Sequence, residues 1–509
     1  MISFLFYSTY STKHTYYASR IGDRNDNCSE SRTCDYQTIC DKVQENDTVI
    51  ITDKYYGASK QVYEFFGFAQ FLVNRNVSIF GSNTIINGSK FGAKPLDFYI
   101  VIREKLNWNF GGFTFTRFSY PILVASSVHN STFSNITLCN NYVETDFGMV
   151  LFTASIVNLT NWQIYENTAN YSSLMFLSTS ELNTSNLVFE RNYAFGINND
   201  PLIRMLNSGI ICNDSFIRDN SVNDAPLILS DYRTATMFHN TTIERNYHSE
   251  FLLCEGNCNL SILETTFKGN RGVILEMSNK SYIEISNTSF INNFSPNSTL
   301  IYHPGGDLFV HTNTRFIGNH GRNIIDMREG ESRLFFHDLV FSRNSVDVSS
   351  IATGYGTLGF FSKVAVSSST HSVGFISAFN GSIAIFSSYS SNNVGPFINM
   401  NSGELLLLMN TFSRPKSQEI LVDEVDVWNI LSIFRSKLPN IIDQVGFPYI
   451  FWIIVLMLAT IFLILVVNYK SVRRFFYILF CCNNLRCKYR LRLKKRKQNT
   501  ETENKQKTD

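Results

Sequence analysis

From about residue 138 the chain alternates apolar and polar positions in short runs, and each run closes on one mark: a large apolar residue, two variable residues, then Asn. NLSILETTF ends at Phe267, YIEISNTSF at Phe290, LFVHTNTRF at Phe316 and RLFFHDLVF at Phe341. The marks close at Asn141, Asn167, Asn192, Asn220, Asn246, Asn270, Asn293, Asn319, Asn344 and Asn392. Successive asparagines lie 23 to 28 residues apart, except for a last step of 48 that spans a degenerate unit near Val366. Period-two alternation rich in aromatic and β-branched residues predicts strands. A fixed spacing predicts one unit repeated and stacked. About 25 residues are too few for a four-stranded propeller blade, and the L-x-x-L-x-L pattern of leucine-rich repeats is absent. One turn of a parallel β-helix, with about three short strands, accounts for both period and alternation.

That geometry gives the mark a physical meaning. Coils stack at the strand spacing of about 4.8 Å, so equivalent residues superpose. The large apolar residue points inward. The Asn is expected to turn the corner in the left-handed conformation and to hydrogen-bond from coil to coil. Nine of the ten marked asparagines are not glycosylation sequons; Asn293, in N-F-S, is the exception. Less regular units at 76–88, 110–118, 382–390 and 404–412 extend the array to 12–14 coils, a rod of roughly 60 Å. Open ends need caps. DYQTICDKV at 35–43 is expected to form a short helix at the first end. At the other, Leu421, Val425, Trp428, Leu431 and Phe434 stand at helical spacing and predict a helix over the last coil.

The pattern changes again at 449–467, YIFWIIVLMLATIFLILVV, 19 residues without a charge. This is long enough to cross a hydrocarbon core. The overall charge of +2 hides a split: residues 468–509 hold 13 Lys/Arg against 3 Asp/Glu, while the preceding part holds 31 against 39. The positive-inside rule then places the tail in the cytosol and the body outside, at the plasma membrane. The basic run is expected to be drawn to anionic lipid, and Cys481 and Cys482 sit where reversible palmitoylation occurs. A mildly acidic body is not the footprint of a nucleic-acid binder. All 17 sequons precede the apolar segment; Asn76, Asn135, Asn240 and Asn287 are candidate glycan acceptors. Seven of ten cysteines lie in the body, with Cys254 and Cys258 spaced as C-x3-C, a disulfide pattern for an oxidising compartment. The resulting organisation is an uncertain N-terminal segment 1–22, readable as a weak or truncated signal; a Cys-containing cap at 23–47; a β-helix at 48–415; a cap or stalk at 416–448; a transmembrane helix at 449–467; and a basic tail at 468–509.

Chemistry is sparse. Glu166, Glu190, Asp219 and Glu244 recur at one coil period, which stacking would bring together, but Arg191, Arg218 and Arg245 recur beside them. A solvated corner laced by cross-coil ion pairs explains this better than a pair of catalytic carboxylates. No metal, cofactor or nucleophile motif is visible. The F-x-x-N marks resemble those of the chlamydial polymorphic outer-membrane proteins and similar surface proteins of parasitic protists, within the pectin-lyase-like right-handed β-helices; the G-G-A mark of that family is missing. The resemblance implies an all-β, right-handed parallel β-helix used for adhesion or surface display, binding a protein or glycan ligand outside the cell. A membrane-tethered polysaccharide lyase or hydrolase, and a structural coat protein, are the competing readings. The Asn-Thr-Asp, Asp-Asp and His-Gly signatures of polygalacturonases are absent in a matching arrangement.

Overall fold

The structure is a computed structural model that describes residues 13–434, apart from 25–26, 89–99, 146–147, 196–199, 279, 329–330, 424 and 431–432. The apolar segment 449–467, the basic tail, Cys481 and Cys482 lie outside the described residues. Among the described residues no helix is long and apolar enough to cross a membrane.

The chain is a parallel β-solenoid of about 13 turns, each near 25 residues. In the regular part a turn holds four short strands. Val150–Thr153, Ile156–Thr160, Gln163–Tyr165 and Thr168–Asn170 make one turn. Each pairs in parallel with its equivalent in the next turn: Val150 with Met175, Val157 with Leu182, Ile164 with Phe189 and Ala169 with Ala194. Three tight corners separate the four strands, and a loop of variable length closes the turn. Length variation is absorbed there, which is why the repeat spacing drifts.

Each corner has the same grammar. One residue adopts positive φ, and the next points its side chain inward. Ala154 (φ 48°), Asn161 (φ 55°) and Glu166 (φ 56°) make the three corners of one turn. Buried Ser155, Trp162 and Asn167 follow them. This corrects the expected role of the marked asparagines. The left-handed residue is the one before the Asn: Asn140, Glu166, Arg191, Asp219, Arg245, Gly269, Asn292, Gly318 and Arg343 all have positive φ.

The marked Asn instead fills the corner from inside, and its amide is fully used. Asn167 donates from Nδ2 to Asn192 Oδ1 (3.0 Å) and to the Leu138 carbonyl (2.8 Å), while its backbone N–H also reaches Asn192 Oδ1 (3.1 Å). The side-chain relay runs from Asn141 through Asn167, Asn192, Asn220, Asn246, Asn270, Asn293 and Asn319 to Asn344. It then passes from the Asn344 N–H to Ser369 Oγ and from the Ser369 N–H to Asn393 Oδ1. Asn392 is therefore not a rung: it is exposed, at φ 52°, and holds the left-handed position before Asn393. The other corners carry lesser ladders, such as Ser155 to Ser180 to Ser208.

Apolar columns fill the interior. Phe267, Phe290, Phe316 and Phe341 stack ring on ring, with centroids 4.9, 4.7 and 4.6 Å apart. All four are fully buried. Such stacking adds about 0.5–1.5 kcal/mol per pair beyond burial.

The ends depart from expectation. The first turn starts early: strand Thr15–Asp23 pairs with Thr48–Ile51. Helix α1 (Tyr36–Lys42) follows, with Asp35 accepting from the Thr38 N–H at 2.7 Å as its N-cap. The cover of the core comes from α2 (Ser59–Asn74), which carries no strand alternation. Its apolar residues Val62, Phe65, Phe66, Ala69, Leu72 and Val73 recur at helical spacing and are all buried. Phe65 packs edge-on against Phe113 and Phe115, and Phe68 stacks on Tyr36. At the far end the helix predicted from Leu421 to Phe434 is replaced by strands Ile420–Val422, Val425–Ile430 and Ile433–Phe434, one more turn of solenoid. Val425 and Val427 pack toward the core while Trp428 is exposed, so period two prevails over the accidental helical spacing.

Candidate functional site

The recurrent charges of the marked corner meet in space, and they satisfy one another. Arg191 bonds Glu166 (3.0 Å) and Glu190 (2.8 Å). Arg218 bonds Glu190 (2.6 Å). Arg245 grips Asp219 with two hydrogen bonds of 2.7 and 2.8 Å and also reaches Glu244 (2.8 Å). Hydrogen bonding from Arg245, then its charge, holds the Asp219 carboxyl below its ordinary range. Each of these acids is held against a guanidinium, an arrangement that suits cohesion between coils.

A different pair of acids escaped the sequence reading. Ser230 pairs with Cys254, which sets Asp231 and Glu255 side by side one coil apart. Burial, and then Asp231, push the Glu255 carboxyl up from its ordinary range. Arg204 lies 3.4 Å from Asp231. Farther along the same strand column, burial and Glu250 raise the Glu276 carboxyl. The coil period of 24 residues separating Asp231 from Glu255 was a usable signal, hidden because neither residue lies in the F-x-x-N mark.

Two surface features follow the first corner of each coil. An open groove crosses several turns and is lined by Thr179, Glu181, Asn207, Arg233, Asn257 and Asn259, whose side chains are exposed. Its exposed side chains are three amides, one hydroxyl and two opposite charges. Nearer the C-terminal end, the outward face of the second strand is aromatic. Tyr282, Phe309, Phe335, Phe360 and Phe386 succeed one another with centroids 5.5, 6.1, 5.2 and 5.0 Å apart. Leu358 (56% exposed) and Trp428 (66% exposed) extend this seam.

The remaining sequence-marked residues disperse. Asn135, Asn240 and Asn287 are exposed, each at positive φ on the second corner, and Asn76 is half-buried with its amide on Glu45 and Asn46. Asn293 is buried within the ladder. Cys254 is bonded to Cys258, and Cys28 to Cys34. Cys40, Cys139 and Cys212 are free thiols. His303 lies between strands Phe294–Tyr302 and Gly306–His311 and is fully buried against Gly306, where a Cβ would meet the Ser281 carbonyl at 2.6 Å. Among the described residues no cluster of His, Cys, Asp and Glu is arranged to hold a metal ion.

No protein-family model matches this chain, and no curated protein matches it. The resemblance of its F-x-x-N marks to the polymorphic outer-membrane proteins therefore gains no support from a family match. Among solved structures the chain is similar to PfbA, a surface adhesin of Streptococcus pneumoniae, at 9% identity and a TM-score of 0.27, covering 68% of this chain and 89% of that one. It is also similar to bacteriophage CBA120 tailspike protein 3, at 10% identity and a TM-score of 0.27, covering 83% and 61%. A third is the catalytic unit of a GH87 alpha-1,3-glucanase from Streptomyces thermodiastaticus, at 10% identity and a TM-score of 0.26, covering 80% and 67%. At these identities and scores the likenesses carry no argument about function, and the assignment as a parallel β-solenoid rests on the strand pairing itself.

Proposed function

We propose that this chain is a single-pass surface glycoprotein whose solenoid body recognises ligands outside the cell, with segment 449–467 as its anchor and the basic tail on anionic lipid. The solenoid is taken as right-handed, the hand of nearly all parallel strand connections. The observation that carries the recognition reading is the open groove. The amides of Asn207, Asn257 and Asn259 and the hydroxyl of Thr179 face solvent from successive turns, with Glu181 and Arg233 among them. Such a row suits hydrogen bonding to an extended protein segment or glycan. The acids of the marked corner are each paired with arginine, which favours a cohesive role for them over a catalytic one.

A second reading, a polysaccharide-modifying enzyme, draws on one specific feature. Asp231 and Glu255 stand side by side one coil apart with Arg204 3.4 Å from Asp231, and burial, then Asp231, raises the Glu255 carboxyl, a setting in which one acid of a pair can serve as proton donor. The two readings separate in one experiment. The body, residues 13–434, is secreted and incubated with uronate-rich and neutral polysaccharides, with new reducing ends and unsaturated products as the readout. The same protein is tested for binding to glycan arrays and cells. Recognition predicts no turnover, and saturable binding that falls on Arg233→Ala or Asn207→Ala. Turnover abolished by Glu255→Gln would instead establish the enzyme and sink the recognition reading.

A further inference from the structure

The aromatic seam continues from the groove, Tyr282 being in register with Asn259, but it shares none of the groove residues that carry the recognition reading, and its chemistry differs. Phe335 and Phe360 lie within 5° of parallel, and the other neighbours lean on one another at 33° to 38°. The rings spend much of their faces on each other along the coil axis. A sugar needs a free ring face; this ridge offers hydrocarbon edges, which suit an apolar protein surface.

The column beside it shows which surface. Parallel register aligns Tyr282 with Asp307, Asp307 with Arg333 and Arg333 with Leu358. Over four turns this column reads apolar, negative, positive, apolar. Inverted about its midpoint, it reads apolar, positive, negative, apolar. A second copy related by a two-fold axis between the Asp307 and Arg333 turns therefore brings Asp307 opposite Arg333, Arg333 opposite Asp307, and Tyr282 opposite Leu358. The same operation brings Phe309 opposite Phe335, since these two are also in register. A two-fold interface requires this self-complementarity. A second copy also has the same turn spacing, and the outer turns of the Phe309 column then set Phe360 opposite Glu284.

We propose that the seam from Tyr282 to Phe360 is a two-fold interface between antiparallel copies of this chain. Asp307 and Arg333, already joined within one copy by a 2.6 Å hydrogen bond, become a square of four alternating charges across the axis. The last turns of the two copies then lie at opposite ends of the pair.

The test uses the full chain in mild detergent, with mass measured by sedimentation over a range of concentrations. The wild type is expected to dimerise. Asp307→Lys places positive against positive at the axis and is expected to weaken the dimer about tenfold or more. Adding Arg333→Asp restores an inverted but self-complementary column and is expected to restore most of the affinity. Phe335→Ser is expected to weaken the dimer with no rescue by the charge pair. Far-UV circular dichroism and the melting midpoint of each variant establish that the solenoid is intact. A monomer at every concentration would overturn the proposal, and so would a dimer indifferent to these changes. A monomer whose seam is protected from surface labelling on cells would assign the seam to an unlike partner and overturn it equally.

Discussion

A non-glycine residue in the left-handed region costs about 1–2 kcal/mol, and this chain adopts that conformation at corner after corner. The cost is tolerated because the next side chain enters the corner and satisfies the backbone groups of two turns. Asn220 illustrates the return. Its Oδ1 accepts from the Asn192 backbone N–H and from Asn192 Nδ2, both at 3.0 Å, and its own Nδ2 donates to the Phe189 carbonyl at 2.9 Å. Asn220→Ala orphans buried donors and an acceptor and is expected to cost about 2–3 kcal/mol, read as a lowered urea midpoint. The preceding position tests the other half of the corner. Arg343 has φ 53°, so Arg343→Val is expected to destabilise by about 1–2 kcal/mol, because a β-branched residue resists that region. Arg343→Gly is expected to be tolerated, since relief of strain offsets the added freedom of the unfolded chain. Equal effects of the two substitutions would place the strain elsewhere.

At the scale of the turn, the interior holds a polar burden as well as apolar columns. His248, His303 and His371 are each buried within the solenoid, and neither ring nitrogen of any of them makes a well-formed hydrogen bond. Burial pushes His248 down to about 3 and the other two to about 4, from 6.5. The folded protein therefore keeps these rings neutral where the unfolded chain binds protons. Their contribution is complete above pH ~6.5, falls as pH drops toward about 4, and flattens once the folded state also protonates. Denaturant midpoints measured from pH 7.5 to 4 should decline over that window. His371→Phe, beside Phe375, is expected to reduce the slope. A slope unchanged in that variant would put the acid sensitivity on other groups. The first turns depend on α2 instead. Phe65→Ala removes a fully buried ring that touches Phe113 and Phe115, and is expected to cost about 3–5 kcal/mol.

For the whole molecule, the stacked repeat sets which asparagines a glycosylating enzyme can reach. If the body passes through a secretory compartment, glycopeptide mass spectrometry should find sugar at Asn135, Asn240 and Asn287. Asn293 should be bare, because its amide lies in the ladder with both hydrogens committed, to Phe267 and Asn319. Sugar at Asn293 would mean that modification precedes formation of that turn.

The solenoid could be read from the chain because its physics is local and repeated. Each turn must present an apolar residue and a corner-filling amide at the same place, so Phe290, Asn293 and their equivalents announce themselves at a fixed period. The cap and the chemistry repeat nowhere, and so left little trace. Helix α2 was legible only as an isolated amphipathic stretch, and Trp428 fitted helical spacing until pairing with Leu406 placed it in a strand. Sequence alone determined the period, the alternation, the inward residues and the recurrent charges. Tertiary structure decided which residue of each corner bears the left-handed backbone, that the recurrent acids are locked to arginine, and that Asp231 and Glu255, or Asp307 and Arg333, stand next to each other. Inward positions are dictated by burial, which marks every repeat in the same way. Outward neighbours are set by the exact length of each closing loop, and only the stacked coils reveal that register.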